Sequence, residues 1–143
     1  MQRSLLPWLL LAAVGAVNAA DAPPLTLDNR IDLGLTPDEQ TEFLAEMRVM
    51  LASIQGILQG IGENDRERIA EAARQSGNRM ARATPETLRA KLPQAFRDLG
   101  GPTHMLFEEL AVRAETDDMD SLAAATAVIM SQCLACHATF RAH

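Results

Sequence analysis

Residues 117–141 read DDMDSLAAATAVIMSQCLACHATFR, and the rest of the chain is best read outward from them. Asp118 or Asp120 can cap a helix, and no Gly or Pro interrupts the residues from Met119 to Phe140, so a helix is predicted over that span. Cys133 and Cys136 stand three apart on it, which puts both sulfurs on one helical face. His137 follows at once. These are the only two cysteines of the 143 residues.

C-x-x-C-H is the spacing of covalent c-type haem attachment: two sulfurs reach the vinyl groups, and the adjacent imidazole lies under the iron as proximal ligand. Three other uses of these residues fit less well. A thioredoxin-like redox pair belongs after a strand in a βαβ unit, and no such pattern is present. A structural zinc needs four ligands, and only His104 and His143 remain. A disulfide across two intervening residues would close almost no loop and has no use for His137.

Upstream, Thr36-Pro37-Asp38-Glu39 has the form of a capping box with proline at the first helical position. Phe43, Met47, Met50, Leu51, Ile54, Ile57, Leu58 and Ile61 then recur at steps of three and four, predicting a long amphipathic helix that ends near Gly60 and Gly62. A second helix starts at Asn64-Asp65 and runs to about Arg79. Residues 77–102 carry three glycines and three prolines, so they read as a loop holding short helical pieces near Thr87–Leu92 and Gln94–Leu99. A third helix begins at Pro102-Thr103, with Met105, Leu106, Leu110 and Ala114 toward the core. No segment alternates as a half-buried strand does. Four helices with short first and last connections predict an all-α, antiparallel four-helix bundle over 36–143, with the haem near the end of the last helix.

The length allows one domain, not a multidomain enzyme. A net charge of −6 argues against nucleic acid or an anionic membrane as the partner. Residues 1–20, with Arg3 ahead of an apolar run and Asn18-Ala19-Ala20 before an acidic, Pro-rich stretch, have the layout of a cleavable signal peptide. That run falls short of the ~20 residues that span a bilayer, and no other segment is read as spanning. Residues 21–35 are expected to form an extended arm. Export places the mature chain in a periplasmic compartment where thiols are paired, metal-bound or capped. Aromatic residues are only 3% of the chain, which suits a core filled by a large flat ring.

On these residues the chain resembles the cytochrome c-prime family, including its low-spin cytochrome c-556 members. The likeness covers about residues 37–143 and is tightest over 117–141, where the acidic turn, Leu122 eleven residues before Cys133, and C-x-x-C-H-x-x-x-R fall as in the family. The resemblance implies that Arg141 lies beside the haem, near a propionate; a solvated charge favoured by the helix dipole is the plainer alternative. It also puts the residue opposite His137 on the first helix. Matching the family position with an apolar residue three later selects Met47, with Met50 behind it, and requires a shorter first loop. Alignment without that gap puts Leu44 over the iron and leaves an open site. Met50 is the alternative ligand, and core filling is the competing role for both methionines. Met130 is expected to pack under the haem, Arg48 to face propionate or solvent, His104 to be a partly exposed histidine with iron ligation as its remote alternative, and His143 to be a frayed terminal one.

The expected function is therefore electron transfer by a periplasmic monohaem cytochrome, with iron between His137 and Met47 and haem c held by Cys133 and Cys136. Basic redox proteins are the expected partners, no membrane is involved in the mature form, and a homodimer is compatible with the resemblance. The alternative is a five-coordinate protein binding nitric oxide or carbon monoxide. No acid–base pair near the motif supports an enzyme, since Glu46 lies off the face of Met47.

Overall fold

The structure, a computed structural model, describes residues 28–142. The leader, residues 21–27 and His143 lie outside the described residues. Two short strands, β1 (Ile31–Asp32) and β2 (Phe140–Arg141), flank six helices: α1 (Pro37–Glu63), α2 (Arg66–Gln75), α3 (Asn78–Ala83), α4 (Glu86–Lys91), α5 (Gln94–Arg113) and α6 (Met119–Thr139). The fold is all-helical apart from the single β1–β2 pair.

The helix starts follow the sequence closely. The Thr36 hydroxyl accepts from the Glu39 amide at 3.3 Å while the Glu39 carboxylate accepts from the Thr36 amide at 2.9 Å, completing the capping box of α1. α1 ends at Asn64 in the left-handed region (φ 55°), a conformation asparagine tolerates better than most residues. Asp65 caps α2 through the Arg68 amide, and Asp118 caps α6 through the Ser121 amide.

Three expectations need correction. The second helix stops at Gln75 rather than Arg79, because Ser76 is drawn into tertiary bonds: its hydroxyl meets that of Ser53 at 2.8 Å, and its carbonyl meets His104 Nδ1 at 2.7 Å. The third long helix begins at Gln94, not Pro102, so Gly100, Gly101 and Pro102 lie inside α5. Proline offers no N–H to the turn before it, yet buried Thr103 and Phe107 just beyond fix this stretch to the core, and the Thr103 hydroxyl donates to the Leu99 carbonyl. Finally, α6 is long and apolar enough to cross a membrane by length and composition, with a mean hydropathy of 1.4. Leu122, Thr126 and Ile129 are buried, while Val128, Met130 and Leu134 are exposed, and 17% of that apolar stretch is buried. The Thr126 hydroxyl donates to the Leu122 carbonyl, so its burial leaves no donor unmet.

α1 packs on α2, α2 on α5, α5 on α6, and α6 returns to α1. Inside that ring lies a core of Ile54, Ile57, Ile69, Phe107, Leu110, Leu122 and Ile129. Glycine sets the spacing of α1 and α2: a Cβ on Gly56 would stand 2.8 Å from the Ala72 Cβ, and one on Gly60 2.7 Å from Ile69 Cγ1. A second cluster at the other end joins Leu33, Phe43, Leu92 and Phe140, with Phe96 packed against Phe43 and Phe140 at ring separations of 5.7 and 5.4 Å.

Candidate functional site

The C-x-x-C-H residues open on a cavity of about 330 Å3 between α1, α5 and α6. α6 contributes Met130, Cys133, Cys136 and His137. α1 contributes Leu44, Met47, Met50, Leu51 and Ile54, and α5 contributes Gly100, Thr103 and His104. Helical phase explains the grouping on α1, since 44, 47, 51 and 54 recur at steps of three and four. A smaller cavity of about 100 Å3 adjoins it and shares Leu44, Met47, Cys136 and His137, adding Phe43, Phe140 and Arg141.

Both cysteines are half-buried and free. Burial pushes the Cys133 thiol up, and burial together with neighbouring Cys133 does the same for Cys136. Both are therefore neutral thiols at neutral pH, without the lowered pKa of a redox-active pair. Among the described residues no group of three or more His, Cys, Asp and Glu side chains is arranged to hold a bare metal ion. What converges here is two thiols, the imidazoles of His104 and His137 and the thioethers of Met47, Met50 and Met130 around an apolar space. Such a set could attach a group through its thiols and offer nitrogen or sulfur donors to a metal that the group carried.

The residues named from the sequence fall as follows. Cys133, Cys136, His137 and Met47 line one cavity, and Met50, Leu44, Met130 and Arg48 join them. Glu46 is off that wall; burial, then the Glu42 charge, pushes its carboxyl up. Arg141 borders the smaller cavity beside His137, but its guanidinium already meets Asp32 at 2.9 Å. His104, expected at the periphery, stands in the cavity wall in mid-α5. Because a carbonyl only accepts, its contact with Ser76 makes Nδ1 the donor.

The contribution of the arm was not visible beforehand. β1 pairs in parallel with β2, Ile31 opposite Phe140 and Asp32 opposite Arg141, and the Leu33 amide donates to the Arg141 carbonyl at 3.0 Å. Arg30 Nη1 donates to the His137 carbonyl at 3.3 Å, and Gln40 Nε2 to that of Ala142 at 2.6 Å. The His137 carbonyl is one of those at the end of α6 that have no partner further along the helix, and the other two bonds hold Arg141 and Ala142 just beyond that end. The one local hint was the alternation of apolar Ile31, Leu33 and Leu35 with polar neighbours, too short to separate from a loop.

No protein-family profile, curated protein or solved structure matches this chain.

Proposed function

We propose that the chain is an exported monohaem c-type cytochrome: a four-helix bundle that carries electrons on an iron held between His137 and Met47. The observation that supports this most is the meeting of Cys133, Cys136, His137 and Met47 on one cavity, although 86 residues separate Met47 from Cys133. The donor set fits the group. Neutral, unpaired thiols suit thioether formation, in which each S–H adds across a vinyl double bond and nothing is oxidised. When bound, haem supplies an iron that cycles between the ferric and ferrous states.

The chain's own residues do the rest. His137 offers a ring nitrogen from a turn pinned by Arg30, and Met47 offers a soft thioether sulfur from α1. His/Met ligation raises a reduction potential, and an apolar wall of Leu44, Leu51 and Ile54 disfavours the more charged ferric state. The acidic surface suits weak, salt-sensitive docking to basic redox proteins. A second reading, gas binding at a five-coordinate iron, draws on Leu44, which lines the same wall one turn from Met47.

Ferric and ferrous absorption spectra of the exported, haem-matured protein, with and without carbon monoxide, separate the two. Electron transfer requires low-spin spectra that carbon monoxide leaves unchanged, and loss of the sulfur-to-iron absorption in Met47→Ala. A high-spin ferrous spectrum that shifts promptly with carbon monoxide would make Met47 pocket lining and gas binding the function.

A further inference from the structure

A second recess, of about 750 Å3, lies between α2, α3 and α5 and shares no lining residue with the cysteine cavity. Arg74 enters it from the last turn of α2, Arg79 and Arg82 from α3, and Glu71 and Glu108 complete its charges. Glu108 is already engaged. Its Oε2 accepts the Asn78 amide at 3.0 Å, and a Cβ at Gly77 would collide with that same oxygen, so glycine is what lets the carboxylate reach the start of α3.

The arginines are the unusual feature. Elsewhere Arg30, Arg68, Arg89, Arg113 and Arg141 each meet a carboxylate and Arg66 and Arg97 donate to backbone carbonyls, which leaves Arg48 on α1 as the one other arginine of the described residues without such a partner. In the recess Arg74 reaches Glu115 only at 3.8 Å, and Arg79 and Arg82 have no hydrogen-bond or ion-pair partner among the described residues. Acids are not scarce, with 19 Asp and Glu against 13 Lys and Arg. Arg79 and Arg82 are three apart on one helix, where like charges repel. An anion between them removes that repulsion, and planar guanidinium forks suit carboxylates. Glu71, on the same wall, opposes a compact, densely charged anion and can accept a hydrogen bond from a ligand hydroxyl.

We propose that this recess binds a small hydroxylated di- or tricarboxylate, gripped by Arg79 and Arg82 with Arg74 alongside and its hydroxyl donating to Glu71. The site does not depend on what the cysteine cavity holds. Calorimetric titration of the full exported chain with citrate at low ionic strength tests it. The expected result is saturable one-site binding, weakened more than tenfold in Arg79→Gln/Arg82→Gln and also weakened in Arg79→Lys/Arg82→Lys, which keeps the charge but loses the forks. Inorganic phosphate is expected to bind less tightly than citrate. Absence of saturable binding, an unchanged affinity in the glutamine variant, full affinity in the lysine variant or tighter binding of phosphate would each overturn the assignment. All three arginines are exposed, and thermal melts that match the parent verify that the variants stay folded.

Discussion

The two ends of the helical ring are built differently. At one end, Ile57, Ile69, Phe107, Leu110 and Leu122 are almost wholly buried, and glycines bring α1 and α2 close together. At the other end the same α1, α5 and α6 part around two cavities walled by methionines, cysteines and two histidines. There Met50, Met47 and both cysteines are only half-buried. One end has the close packing of an ordinary interior; the other leaves space and places soft donors around it. The packed end accounts for the fold without any ligand, and the open end is where a ligand has room.

Substitutions can break or sharpen that contrast. The largest effect belongs to the packed end. Phe107→Ala, at a fully buried position, is expected to cost about 3–5 kcal/mol in denaturant melts while leaving in place any spectrum that the proposed haem gives. Two glycines two residues apart come next. Gly60→Ala sets a methyl against Ile69 and the Asp65 carbonyl and should cost about 1–3 kcal/mol. Gly62→Ala meets nothing within 4 Å and should stabilise the helix by roughly 0.5–1 kcal/mol. Equal effects at 60 and 62 would mean that α1 and α2 are not in close contact.

At the open end the pattern reverses. Met47→Leu conserves volume and should change stability by less than about 1.5 kcal/mol, yet remove the sulfur-to-iron absorption that the proposed ligation requires. The smallest effect is electrostatic. A hydrogen bond from Lys91, then one from the Thr36 amide, holds the Glu39 carboxyl at about 2, below its usual 4.5. Because that pKa is lowered on folding, the stabilisation is complete above about 4.5 and fades as pH falls toward 2. Glu39→Gln should flatten the pH dependence of melting in that window and leave it unchanged near neutrality.

The contrast also marks what could be read in the sequence. Wherever a signal is local it was legible: the capping box at Thr36, the asparagine–aspartate joint before α2, the Asp118 cap and the phase that sets Met47 with Leu44 and Leu51. Gly100, Gly101 and Pro102 misled because their helix-breaking chemistry is local while the burial of Thr103 and Phe107 that overrides it is not. The same is true of Ser76, whose partners Ser53 and His104 come from other helices. The arm is the extreme case, with Arg30 bonded to a residue 107 positions away. The motif Cys133–His137 was legible as chemistry, whereas the wall opposite it, and the place of His104 in that wall, needed the packing of α5.

The central proposal is a ring held at the open end by two thioethers, and the intact mass of the protein tests it most directly. The chain would be made in cells that attach haem to C-x-x-C-H sequences and measured after denaturation has stripped any loosely held group. The expected result is the mass of the mature chain plus one haem, falling to that of the bare chain in Cys133→Ala/Cys136→Ala. A bare-chain mass for the unaltered protein, from cells that load a control cytochrome normally, would contradict it.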